Sequence, residues 1–143
     1  MDEAKPRQLG ITLLWAAIGV AAIVLVVLLA LALRGGPRIT KVEPGPGEWT
    51  PGTALLTSTK RPVVVVGYVF WREGLPATLC EGSYSTNPPN CYGPLLNIEG
   101  FDINRLDLER GKDGPTDVAW SKEPVRFRGT LRTAHFDVTE VLS

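Results

Sequence analysis

The sequence predicts an N-terminal transmembrane α-helix followed by a small all-β domain. Three observations carry this expectation. Residues 11–33, ITLLWAAIGVAAIVLVVLLALAL, contain no charged side chain, and about 20 apolar residues suffice to cross a hydrocarbon core. Further along, the pattern P-V-x-x-x-G occurs twice, at residues 62–67 and 124–129. Each copy opens a run with the β-branched and aromatic content of a strand. Between them two cysteines, Cys80 and Cys91, bracket a loop rich in Gly, Ser, Asn and Pro.

Residues 1–10, MDEAKPRQLG, form a short polar tail. A cleaved signal peptide has an apolar stretch of about 7–15 residues before a small-residue site. Ala30-Leu31-Ala32 would supply such a site, but the run is too long. A buried helix of a globular domain would keep a polar face, and this run has none. The expectation is therefore an uncleaved anchor that partners the lipid bilayer through residues 11–33. Trp15 suits the headgroup level near one end. Gly19 and the alanines at 16, 17, 21 and 22 make one half of the helix smooth, either for helix packing or as a plain lipid-facing surface.

Flanking charge leaves the orientation divided. Lys5 and Arg7 precede the run, and Arg34, Arg38 and Lys41 follow it. Read alone, that count leans towards a cytoplasmic C-terminal domain. The cysteines argue the other way, because a disulfide belongs to an oxidising compartment. The expected arrangement is a cell-membrane protein with a cytoplasmic N-terminus and an extracytoplasmic C-terminal domain.

Residues 34–54 read as a Gly/Pro-rich linker. Gly35-Gly36-Pro37 stops a helix, and Pro44, Pro46 and Pro51 favour an extended chain. Residues 39–42 could form a short strand. Residues 55–143 are the predicted domain. The first P-V-x-x-x-G copy runs on through Tyr68-Val69-Phe70-Trp71 and reads as a strand buried on both faces. The second alternates, with Val125, Phe127 and Leu131 on one side and Arg126, Arg128 and Arg132 on the other. Residues 77–81, 95–101 and 135–141 complete five strands, with a short helix or turn at 104–110 between the third and fourth.

Cys80 and Cys91 are the two cysteines of the chain and His135 its one histidine. A four-ligand Cys/His zinc site cannot be built from them, and ten intervening residues are not the C-x-x-C of a redox pair. A disulfide fits, and no cofactor or metal site is expected. The charge balance, 15 basic against 15 acidic residues, lacks the basic excess of a nucleic-acid partner. With two of each sign before the apolar run, the remainder is balanced too. No phosphate-cradling loop is present, and Asp102, Asp107, Glu109, Asp113 and Asp117 spread along a turn-rich stretch as a solvated face. No catalytic residue is expected.

The order of strands, with an excursion between the third and fourth, resembles a five-stranded OB-type barrel. VVVVGYVFW and VRFRGTLRTAHFDVTEVL are similar to the first and last strands of OB domains. The elements L-C-E at 79–81, P-P-x-C at 88–91 and W-x-x-x-P-V-x-x-x-G at 120–129 resemble those of uncharacterised actinobacterial membrane or secreted proteins. The resemblance spans most of residues 60–141 and implies an OB-like extracytoplasmic domain without an established activity. OB folds bind ligands on one sheet face and its loops, so Arg126, Arg128 and Arg132, with Tyr84 and Tyr92, form the candidate binding surface. Their alternative is ion pairing with Asp137 and Glu140 on the next strand. The expected function is a membrane-anchored binding or assembly module for another envelope protein. The alternatives are a haem chaperone-like carrier, similar in plan but without a convincing haem-attaching histidine motif, and small-ligand or glycan binding on the barrel face.

Overall fold

The computed structural model describes residues 21–30, 35–57, 59–133 and 135–142. The chain divides into two units, residues 1–36 and 37–143. In the first, residues 21–30 are helical, with their side chains exposed. Among the described residues no helix is long and apolar enough to cross a membrane. The rest of the predicted span, at 11–20 and 31–33, lies outside them.

The second unit is built on one nine-stranded sheet. Its strands are β1 (Ile39–Lys41), β2 (Glu48–Trp49), β3 (Val63–Arg72), β4 (Ala77–Tyr84), β5 (Asn90–Glu99), β6 (Leu108–Asp113), β7 (Thr116–Ser121), β8 (Val125–Leu131) and β9 (Phe136–Leu142). The hydrogen-bonded order is β1-β4-β5-β9-β8-β3-β7-β6, with β2 on β3 and a further β3–β4 pairing. This overturns the predicted fold class of a transmembrane helix plus a five-stranded OB-like barrel. Beyond the five strands expected and the short one read at 39–42, which is β1, lie β2, β6 and β7, and no membrane-spanning helix is found among the described residues. The region read as a helix or turn holds only a 3-10 turn, Ile103–Arg105, followed by the β6–β7 hairpin. The physical reason is in the residues. Leu108–Asp113 and Thr116–Ser121 flank Gly114-Pro115, with Gly114 at φ 63°, so Gly114-Pro115 forms the turn of a hairpin.

Residues 37–54, read as linker, carry β1, β2 and the start of a helix, α1 (Pro51–Leu56). Thr50 caps α1 by accepting a hydrogen bond from Thr53 N, and Pro51 occupies the first turn, where its missing N–H costs nothing. Ala54 is fully buried in the core.

β3 organises the sheet because it changes partner along its length. Val63–Gly67 pair with β8, Tyr68–Phe70 with β4 and Phe70–Arg72 with β7. The two repeated segments are thus β3 and β8, antiparallel neighbours. Their glycines sit where backbones approach closely. A Cβ on Gly67 would lie 2.6 Å from Leu79 Cγ and 2.7 Å from the Cys80 carbonyl, and one on Gly129 would collide with the Asp137 carbonyl. Gly129 also marks the register shift between β8 and β9, as expected of a bulge. Where β3 passes from β8 to β7, the Val69 N–H is taken by the buried Ser121 hydroxyl at 2.9 Å. That bond satisfies a backbone donor that the ladders leave over.

One face of β3 carries Val65 and Val69 into the core with Leu79, Leu96, Phe127 and Phe136, all fully buried. The other carries Val66 and Tyr68, which pack with Val42 and Phe70 in a second cluster.

Candidate functional site

The β4–β5 hairpin is tethered by a disulfide and by hydrogen bonds to the segments before β3. Cys80 and Cys91 are joined by a disulfide, with Cα atoms 5.7 Å apart, as the sequence led us to expect. A register shift between Cys80 and Gly82 turns Glu81 towards α1. There its carboxylate accepts from the Thr50 hydroxyl at 2.7 Å and from Gly52 N at 3.0 Å. On the hairpin's other side Ser85 N donates to the Arg38 carbonyl, and Arg38 N donates back to Ser85 Oγ at 2.8 Å. The loop between the strands therefore leaves a fixed base.

Beside that loop the sheet carries an apolar groove of about 520 Å³. Register alignment places Trp120, Phe70, Thr78 and Asn97 in one row across β7, β3, β4 and β5, so their side chains share a face. These four residues line the groove together with Pro88, Pro89, Cys91 and Leu95 from the clipped loop and its strand, and with Leu75 and Pro76 from the β3–β4 turn. Leu75 and Leu95 are each more than half exposed, at 58% and 55%. Arg72 and Asp113, also in the lining, are paired with each other. A second depression of about 690 Å³, lined by Thr86, Asn87, Glu109, Arg110 and Gly111, adjoins the first through the shared Pro89 and Trp120.

Trp120 is held in place. Its Nε1–H donates to Glu109 Oε2 at 3.0 Å, and Glu109 Oε1 lies 2.9 Å from Lys122 Nζ. The bond from Lys122 and, more weakly, that from Trp120 keep the Glu109 carboxyl below its ordinary range. Gly111 makes room for the ring, since a Cβ there would lie 2.9 Å from Trp120 Cη2.

The arginine stripe is arranged otherwise. Arg126 Nε bonds Glu48 Oε1, Arg128 bonds Glu140 Oε2, and Arg132 Nε bonds Asp137 Oδ2, each at 2.7 Å. All three cations are thus paired within the chain, Arg126 with an acid on β2 that the sequence did not suggest. Tyr84 and Tyr92 pack edge to face at 5.5 Å on the hairpin, and Lys41 Nζ lies 5.1 Å above the Tyr92 ring. Among the described residues no hydrogen bond or cation–π contact joins the stripe, on β8 and just after it, to the tyrosines, on β4 and β5.

Two features escaped the sequence reading. Trp120 is buried and also lines the groove, a place that the sequence did not signal. His135 lies with Nε2 3.0 Å from Asp137 Oδ1 and 3.9 Å from Glu99 Oε2. The available signal was the spacing of His135 and Asp137, which puts both on one side of an extended chain. Glu99 comes from a distant segment and gave no such signal.

Comparison with protein-family models, with curated proteins and with solved structures gives no match.

Proposed function

We propose that this chain is an extracytoplasmic binding or assembly module, held at the membrane through its apolar segment 11–33, that contacts another envelope protein without catalysing a reaction. The observation that carries the reading is the groove beside the disulfide-clipped loop. Aromatic, aliphatic and proline side chains dominate it, and the charged pair in its lining is self-neutralised. Such a surface offers little to a phosphate, a carboxylate or a polyanion. It suits a protein segment that presents apolar side chains, with Trp120 and Phe70 as the aromatic anchors common at such contacts. The Asn97 side chain makes no hydrogen bond among the described residues, which leaves its amide for a partner's backbone.

The disulfide supports an oxidising compartment. The uncharged run at 11–33 supports membrane attachment, and the balanced charge speaks against nucleic acid. The test is the Leu95→Arg variant of the full chain in gently solubilised native membranes. Wild type is expected to migrate in an assembly larger than the chain itself, and L95R at the size of the free chain. A wild-type protein that always migrates as the free chain would contradict the proposal.

A further inference from the structure

Glu99 closes β5, and Asp137 lies on β9. They are register partners in a parallel contact that covers only Ile98↔Phe136 and Glu99↔Asp137. His135 stands two residues before Asp137 and reaches both carboxylates, at 3.0 and 3.9 Å from Nε2. One ligand atom from each of the three residues lies within 4.8 Å of the others. Arg132 bonds the outer oxygen of Asp137, Oδ2, while the other oxygen, Oδ1, faces the imidazole. This arrangement lies outside the groove lining, and it shares only Asp137 with the ion pairs of the arginine stripe.

Zn²⁺ holds nitrogen and oxygen ligands at about 2.0–2.2 Å in a tetrahedron, which sets neighbouring donor atoms roughly 3.3 Å apart. The two distances found here bracket that spacing, so an ion is accommodated by small side-chain rotations. An imidazole beside two carboxylates favours a borderline divalent metal, whereas Ca²⁺ and Mg²⁺ take oxygen ligands. We propose that Glu99, His135 and Asp137 form a Zn²⁺ site that clamps β5 to β9. Three protein ligands leave a fourth position for water. The clamp reinforces the shortest pairing on the path through the core strands, because a metal bound only by the folded chain stabilises it.

The chain's single histidine allows a direct test. Zn²⁺ is titrated into the untagged, chelator-stripped full chain in detergent micelles, and the His135 ring nitrogens are followed by NMR. The ring signals are expected to shift and saturate at one equivalent, with micromolar affinity or better. Neither Mg²⁺ nor Ca²⁺ is expected to move them, and zinc should raise the unfolding temperature. His135→Gln should weaken zinc binding by at least about tenfold while the far-ultraviolet dichroism stays that of wild type. Should H135Q fail to fold, Glu99→Gln at the exposed end of the site carries the same expectation. Ring signals unmoved at millimolar zinc, or unchanged affinity in a folded H135Q or E99Q variant, would overturn the site.

Discussion

Replacing both bridging cysteines by alanine tests how far the hairpin depends on its clip. The cysteines are 11 positions apart, and closing a loop of that size removes roughly 3 kcal/mol of unfolded-state freedom. Cys80 is fully buried, so losing its sulfur adds on the order of 1 kcal/mol. Together that approaches 4 kcal/mol, a large part of the 5–15 kcal/mol that holds a typical domain. With a urea slope of about 2 kcal/mol per M, the midpoint of the Cys80→Ala/Cys91→Ala variant should fall by about 2 M. The assay is urea unfolding of the full chain in micelles followed by tryptophan fluorescence. Wild type under reductant should lose slightly less than the variant, because it keeps the buried sulfur. A midpoint within about 0.3 M of the oxidised wild type would mean that the bridge adds under 1 kcal/mol. The tethers through Glu81 and Ser85 would then be sufficient to fix the hairpin alone.

Other expectations follow from single contacts. Ser121→Ala strands the Val69 N–H inside the sheet and should cost about 1–3 kcal/mol by urea unfolding; an unchanged midpoint would mean that β3 needs no side-chain help where it changes partner. Glu48 is held below its ordinary value near 4.5, first by the Gly45 N–H and then by Arg126. A carboxylate depressed in this way stabilises the fold above its unfolded pKa and loses that contribution as pH falls through the folded value. Wild type should therefore unfold at a higher temperature than Glu48→Gln at pH 7, and the gap should close on acidification below the ordinary carboxylate range. A gap constant with pH would dismiss the charged form of Glu48 as the cause.

The strands were more legible in the sequence than their arrangement. Val63–Arg72 and Val125–Leu131 announced themselves because β-branched and aromatic residues follow a proline, and inward Phe127, Phe136 and Val138 alternated with charge as a half-buried strand must. The disulfide was legible by elimination among three potential ligands. The β6–β7 hairpin was not. Its strand LERGKD carries mostly charge on an exposed edge, where such residues guard against wrong pairing, so the hydrophobic period that marks a strand is absent. Nor could the partner changes of β3 be read, because they depend on where Gly67 and Ser121 meet the chain in space. The groove was hidden for the same reason. Trp120, Phe70 and Leu95 come from three separate strands, and only register sets the tryptophan and phenylalanine in one row.

A photoactivatable side chain at position 95, in the groove, compared with one at position 128, among the paired arginines, tests the binding surface most directly. Both are introduced into the full chain in intact cells and irradiated. We expect the probe at 95 to yield one discrete adduct with a different envelope protein and the probe at 128 to yield little of it. Equal adducts from both positions, or an adduct at 95 that contains only copies of this chain, would contradict the account.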